Sequence, residues 1–467
     1  MSYINTLPNE YAHAFRDADI RGTYPTQINE EMAYRIARAF VTINDLDELV
    51  LGRDMRESSP ALRDAFIRGA TEQGANVIDI GMVDTPAVYF ISGTRDIYGA
   101  MITASHNPKE DNGIKLVTSG AVPLTRTTGL AAIQKHVEEN VFIDNKKTGV
   151  MHEEDIANEY QRYINSYITI PKETEISVVA DAGNGMGGWV VPLMCNSLPV
   201  TITPILFELD GMFPHRGSNP TKSENMHPVQ EAIAEHAPDF GVAFDGDADR
   251  VAFFDETGKV INGAVIGAMI ASHMLTNGEG KRFVYTHYTS RSYYETIIEG
   301  GGDAYLARVG HSFIKNLMRE KDAAFAAEHS GHFYFRANYY TDSGILAFLK
   351  VLEMYAHAKA RSKRFSELVA EFDRYVQSEE ELIKVTDKPG VLKKVSKAYD
   401  AMEPLHSDQF DGYYAEFEDY WFDLKESTTE DALKLIVEAR SEEKMREKFN
   451  EIRTYAKHMD KDSDINT

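Results

Sequence analysis

Short apolar runs alternate with stretches of helical periodicity along the first hundred residues. The apolar run at 48–51 predicts a strand leading into Gly52-Arg53-Asp54. Ser59 can then cap a helix with Pro60 at its first position. Leu62, Phe66 and Ala70 recur on one face of that helix, and Gly74 stops it. Residues 76–80 predict the next strand, Pro86 opens a short helix, and a small, β-favouring run over 98–103 predicts another strand. Such alternation implies a parallel or mixed sheet. A second unit starts with a strand at 176–180 and ends in two apolar runs, 241–244 and 251–254; a third extends from about 255 to 362. A weak internal repeat supports the division. Residues 70–81 and 297–308 both show a helix end, a glycine stop, a strand and a loop. Lys146-Lys147-Thr148-Gly149 and the acidic stretch around Glu153 look like a boundary. The Lys-rich stretch 384–402, with Pro389-Gly390, resembles a linker into another fold. Beyond it, 413–417 and 420–424 predict a hairpin, and 441–458 a terminal helix packed on it. The expected architecture is three similar α/β domains with mixed sheets, 1–150, 151–254 and 255–370, plus a smaller α+β domain, 371–467.

Two loops in this pattern carry chemistry. The strand at 98–103 drops into Thr103-Ala104-Ser105-His106-Asn107-Pro108, where Pro108 keeps Asn107 out of the helical region. A serine at the C-terminal end of a strand is where an α/β protein places a reactive group, although Ser and Asn are also common turn residues. No Gly-x-Ser-x-Gly elbow accompanies it, which argues against acyl transfer. The second loop, Asp245-Gly246-Asp247-Ala248-Asp249-Arg250, sets three carboxylates at alternate positions between apolar runs. Buried flanks argue against a freely solvated acidic turn. Like charges this close need a cation among them, and hard oxygen donors suit Mg²⁺ or Ca²⁺. An EF-hand is rejected, although Glu256 falls at its twelfth position. Its sixth position, which needs glycine, is Arg250, and strands rather than helices flank the loop.

Together, Thr-Ala-Ser-His-Asn-Pro and Asp-Gly-Asp-Ala-Asp-Arg resemble the α-D-phosphohexomutase family, which includes phosphomannomutases and phosphoglucomutases. The resemblance covers nearly the whole chain. It implies that Ser105 carries a phosphoryl group and that Asp245, Asp247 and Asp249 hold Mg²⁺, with a phosphate oxygen on Ser105 as a further ligand. Phosphoryl transfer needs positioning and charge neutralisation, and cations are at hand: Arg250, His106, Lys115, and Arg21 in a segment similar to the family's opening one. The implied reaction interconverts hexose 1-phosphate and hexose 6-phosphate through hexose 1,6-bisphosphate. For the general base, Lys115 comes first, as a lysine whose pKa neighbouring cations would lower; Arg21 and His332 stand behind it.

Two further loops read the substrate side. Glu328-His329-Ser330-Gly331-His332 resembles the family's sugar-recognition loop, with Glu328, Ser330 and His332 gripping the ring. Its form is closer to the bifunctional phosphomannomutase/phosphoglucomutase branch than to the glucose-specific one. His311 and Lys315 resemble polar contacts near the active centre. By resemblance, the last domain closes over the substrate and binds its distal phosphate. The family's usual loop there is Arg-x-Ser-Asn-Thr-Glu-Pro, whereas this chain has Lys425-Glu426-Ser427-Thr428-Thr429-Glu430-Asp431. Lys425 lacks the two-pronged contact of arginine, and Asp431 adds negative charge beside Ser427, Thr428 and Thr429. Rival readings are a phosphoglucosamine mutase, a non-enzymatic sugar-phosphate binder, and a nucleotide-linked oxidoreductase. The last is suggested by Gly183-Asn184-Gly185-Met186-Gly187-Gly188 with Glu208 beyond it, a pattern that a tight strand-to-helix turn also explains.

Composition narrows partners more than chemistry. The chain has 467 residues and a formal net charge of −24, from 73 Asp and Glu against 49 Lys and Arg. Nucleic acid is therefore not expected as a partner, and an anionic phosphosugar needs a locally basic cleft. The one cysteine, Cys195, lies in an apolar stretch and reads as a buried, inert thiol. Residues 1–10 lack the pattern of a secretory signal, and no run is long enough to span a bilayer. A cytoplasmic protein with no protein partner is expected.

Overall fold

The computed structural model describes residues 13–142, 147–427 and 430–461. The expectations for residues 1–10, for Lys146, and for Thr428 and Thr429 lie outside them. Four sheets organise the described residues. The first contains β1 (Ile20–Thr23), β2 (Glu48–Arg53), β3 (Asn76–Met82), β4 (Tyr98–Ile102), β5 (Asp111–Thr118), β6 (Val122–Pro123) and β7 (Met151–Glu153), in the order β1-β5-β4-β2-β3-β7 with β6 on β5. β4, β2, β3 and β7 run parallel, and β5 and β1 close the edge antiparallel. β7 lies past the expected boundary at 150 yet pairs with β3 through Val77 and Met151.

The second sheet has β8 (Ile176–Asp181), β9 (Val200–Ile205), β10 (Phe240–Phe244), β11 (Val251–Phe254) and β12 (Val260–Ile261), ordered β12-β11-β10-β8-β9. β9, β8 and β10 are parallel; β11 and β12 turn back antiparallel. The third comprises β13 (Arg282–Tyr285), β14 (Asp303–Leu306), β15 (Phe325–Ala327), β16 (Phe333–Phe335) and β17 (Thr341–Asp342), ordered β14-β13-β15-β16-β17. It mixes a parallel pair, β13 with β14, and an antiparallel one, β16 with β17. The fourth, of β18 (Val376–Gln377), β19 (Glu381–Lys384), β20 (His406–Asp408), β21 (Tyr413–Glu416), β22 (Tyr420–Glu426) and β23 (Ala432–Ala439), is antiparallel throughout. Three α/β domains with mixed sheets and a smaller α+β domain are therefore present, as expected.

Helices form where the apolar spacing and the caps agree. In Glu30–Asn44, Asn29 accepts from Met32 N, Glu30 and Glu31 favour the positive end of the dipole, and Met32, Ile36 and Phe40 are buried against the first sheet. Ser59–Glu72 buries Leu62, Phe66 and Ala70 as expected. Ser59 does not cap it, however; its Oγ donates to Asp54 at 2.6 Å, and the cap position falls to Ser58. Residues 384–402 are not a linker. Helix Lys388–Asp400 forms there because Asp387 accepts from Gly390 N, Pro389 suits the first turn, and Val391, Val395 and Tyr399 recur every four residues into the core. The predicted hairpin and terminal helix are present as β21–β22 and Glu442–Lys461. Two compact units result, residues 1–263 with 318–325 and 330–368, and residues 264–317 with 326–329 and 369–467. Among the described residues, no helix is long and apolar enough to cross a membrane.

Candidate active site

In the first unit, β4 delivers Ser105 to a turn in which its φ is 51° and its exposure 2%. Thr103 Oγ1 accepts from Ser105 N at 2.9 Å. The rest of the loop is gathered by Arg56, which donates to the carbonyls of Ser105 (2.8 Å), Asn107 (2.7 Å), Pro108 (2.7 Å) and Asp111 (2.9 Å). Asp54, 3.3 Å away, balances its buried charge. Opposite, Gly246 comes so close that a Cβ there would stand 2.5 Å from the Ser105 carbonyl oxygen. Only glycine lets the two loops meet.

The hairpin of β10 and β11 holds Asp245, Asp247 and Asp249, each at most 2% exposed. Ser105 Oγ donates to Asp245 Oδ2 at 2.9 Å. One oxygen from each carboxylate lies within 4.8 Å of the others. Asp247 Oδ1 and Asp249 Oδ1 are buried without a hydrogen-bond partner. Burial, then the charges of Asp249 and Asp247, push Asp245 well above the carboxylate range. Burial opposes the charge on Asp249 too, but Lys115 and nearby cationic groups hold that carboxyl below its usual value. Buried, crowded, orphaned carboxylate oxygens are the donor set of a hard divalent cation, and Mg²⁺ fits it. Thr85, at the start of helix Thr85–Arg95, adds a bond to Asp247 Oδ2 at 2.5 Å.

The surrounding cations are distributed differently from expectation. Lys115 lies in the middle of β5, between Asp247 (2.7 Å) and Asp249 (2.6 Å). Burial would lower its pKa, but those carboxylates raise it well above normal. The expected lysine among cations is thus a lysine among carboxylates. Arg250 contacts His106 Nδ1 and lies 3.7 Å from Asp245. Burial, then Arg250 and Arg21, push His106 well below the usual histidine range, so it faces Ser105 Oγ (3.2 Å) as a neutral ring. Arg21 reaches Asp19 (2.6 Å) and Asn107 Oδ1 (2.9 Å); burial opposes its charge, but Asp19, with Asp247 and Asp249 beyond, raises its pKa and keeps it charged. His332 pairs with Arg250 through the backbone, and its Nδ1 lies 3.0 Å from Asp342, itself within reach of Asp249.

Known proteins share this framework. The description of phosphoglucomutase/phosphomannomutase alpha/beta/alpha domain I matches residues 12–144, domain II residues 158–258 and domain III residues 262–375. The chain is 36% identical over 439 residues to "Phosphohexose mutases" of Xanthomonas campestris pv. campestris (strain B100), covering 94% of this chain and 96% of that one. It is 33% identical over 437 residues to a phosphomannomutase of Escherichia coli (strain K12), covering 92% and 95%. The chain belongs to the phosphoglucomutase/phosphomannomutase family. A solved structure of a phosphoglucomutase/phosphomannomutase family protein from Burkholderia thailandensis superposes with a TM-score of 0.88 at 25% identity, covering 97% of this chain and 98% of that one. An isomerase-type phosphotransferase is the enzyme class to which this membership assigns the chain.

Within this phosphoglucomutase/phosphomannomutase frame the glycine-rich turn finds a structural use. A Cβ on Gly185 would meet the Gly246 carbonyl oxygen at 2.7 Å, and Met186 N donates to that same oxygen at 2.9 Å. The turn buttresses the aspartate loop, and membership of the family removes the oxidoreductase reading. Cys195 is buried, and burial pushes its thiol up to about 12.

The remaining predicted residues divide between the units. Ser330, half-buried, belongs to the first. In the second, Glu328 (7% exposed) follows β15, His311 begins helix His311–Lys321, and Lys315 is buried at 1%. Lys425, in β22, lies 3.3 Å from Asp411 and over the Tyr288 ring at 4.6 Å. Ser427 Oγ accepts from Glu430 N at 3.2 Å, and Lys388 donates to the carbonyls of Ser427 and Glu430. Lys388 is a cation at this loop that sequence reasoning passed over, having taken its helix for a linker. Arg56, Thr85 and Asp342 were passed over too, since each acts on a partner distant in sequence or lacks a recognisable motif.

Proposed function

We propose that the protein is a hexose-phosphate mutase that interconverts hexose 1-phosphate and hexose 6-phosphate through a phosphoryl group carried on Ser105. The observation that carries this reading is Ser105 Oγ, 2.9 Å from Asp245 in a buried carboxylate trio with orphaned oxygens. The phosphorus–oxygen bond to Ser105 breaks as one to the free sugar hydroxyl forms, and the hydroxyl proton passes to a base. The resulting hexose 1,6-bisphosphate turns round and returns its other phosphate to Ser105. Asp245, Asp247 and Asp249 would hold Mg²⁺, which when bound supplies positive charge to the transferring group. Arg250, Arg21 and charged Lys115 offset the phosphate charge. Lys115 among carboxylates is a poor base, and arginine does not give up its proton. His332 is therefore the base of this reading: the Asp342 carboxylate lies 3.0 Å from Nδ1, and Nε2 is the nitrogen for the hydroxyl proton.

Glu328 and Ser330 suit sugar hydroxyls, His311 and Lys315 further polar contacts, and the Lys425–Ser427 loop the distal phosphate. Relatives named phosphomannomutase support mannose phosphate as the first substrate to try. Two measurements test the reading: the intact mass before and after phosphatase treatment, with the modified peptide located, and conversion of mannose 1-phosphate and glucose 1-phosphate with Mg²⁺ and hexose 1,6-bisphosphate added. Phosphate on Ser105 with turnover of either sugar is expected. Absence of both would overturn it.

A further inference from the structure

We infer that the first unit carries a second small-molecule site, a cavity that takes a neutral sugar. The cavity is about 580 Å³ in volume and lies at the ends of β2, β3 and β7, where Arg53, Met82 and Glu153 line it. That volume suits a small ligand, and the C-terminal ends of parallel strands are where open α/β sheets receive one. None of its lining residues belongs to the Ser105 or aspartate loops.

Its chemistry selects against the phosphorylated substrates. Five carboxylates line it against the guanidiniums of Arg53 and Arg63. Arg63 is already engaged by Asp79, Asp64 and Glu153. Arg53 donates to the Asp54 carbonyl at 3.1 Å. Five carboxylates against two guanidiniums leave a net negative lining, which a phosphate would meet unfavourably. A sugar hydroxyl both donates and accepts, which matches carboxylate oxygens interleaved with guanidinium N–H groups. Trp189, half-buried at the rim, supplies an apolar surface for the C–H face of a pyranose ring.

The test is saturation-transfer NMR on the full chain with methyl α-D-mannopyranoside and maltose, in the presence of excess glucose 1-phosphate to fill any phosphosugar site. The expected result is saturable binding of one or both sugars with Kd of roughly 1–10 mM, unaffected by the phosphosugar. Trp189→Leu and Glu153→Gln should each weaken it at least fivefold. Glu153 is largely exposed, so its substitution leaves the fold intact. No transfer to either sugar, displacement by glucose 1-phosphate, or unchanged affinity in both variants would overturn the inference. The readout is binding, so it stands or falls separately from the mutase reading.

Discussion

At Ser105 the backbone sits in the left-handed region, which costs a non-glycine residue on the order of 1–3 kcal/mol unless its surroundings impose it. Thr103 and Arg56 impose it, so removing the hydroxyl should leave the loop in place. Ser105→Ala is expected to lose all measurable mutase turnover while staying folded, at a stability cost of about 1 kcal/mol for the one buried hydrogen bond it removes. Activity near wild type would show that the phosphoryl group travels elsewhere. A second prediction concerns Asp84, which caps helix Thr85–Arg95 and whose neighbour Thr85 grips Asp247. Burial is the main cause that raises its pKa to about 8, above the ordinary 3.8. The folded state therefore holds a proton that the unfolded chain releases near pH 4. The sign follows: this group's contribution to stability declines as pH rises from about 4 to about 8. Asp84→Asn keeps the cap acceptor and removes that decline. Melting curves from pH 5 to 8.5 should show the variant gaining on wild type as pH rises; a constant gap would refute the assignment.

At the scale of elements, both reacting loops share one placement. β4 and β10 are each the last parallel strand of their sheet, and each loop precedes an antiparallel return, β5 or β11. That arrangement was legible in the sequence because the strands are short apolar runs and the loops are polar with Gly or Pro. Ser105 and the three aspartates could be picked out for the same reason, since their chemistry is local and dense. The clamp was not legible. Arg56 acts on carbonyls 49 or more residues away, and one arginine in a loop carries no periodic signal. Helix Lys388–Asp400 was hidden differently: its lysines and Pro389-Gly390 mimic a linker, while its cap and its apolar spacing decide the outcome. The clamp makes its own prediction. Lysine in place of Arg56 keeps the charge but loses the planar fork that reaches four carbonyls. Hydrogen bonds to a charged group are worth about 1.5–3 kcal/mol. Arg56→Lys should therefore lower stability by roughly 2 kcal/mol in denaturant titration and cut kcat/KM at least tenfold. An unchanged rate would mean that the loop holds its shape without the guanidinium.

For the whole molecule the governing quantity is charge. With a formal net charge of −24, the folded chain is strained by its own field, and any salt relieves part of that. The three buried aspartates concentrate the same problem at one place, where Lys115 now supplies the balancing charge. A divalent cation bound there would stabilise the folded state by mass action, by about 1.4 kcal/mol at tenfold its Kd. For a chain of this length that corresponds to roughly one or two degrees in melting temperature. General screening would also raise it, so the comparison must be made at matched ionic strength. Mg²⁺ is expected to raise the melting temperature above the NaCl control, and EDTA to reverse it. Asp247→Asn removes an anionic ligand while leaving the net charge almost unchanged, so its response to NaCl should persist and its extra response to Mg²⁺ should vanish. If NaCl and MgCl₂ act alike on the wild type, or if the variant keeps the difference, the carboxylate trio is a counter-charge for Lys115 and not a metal site.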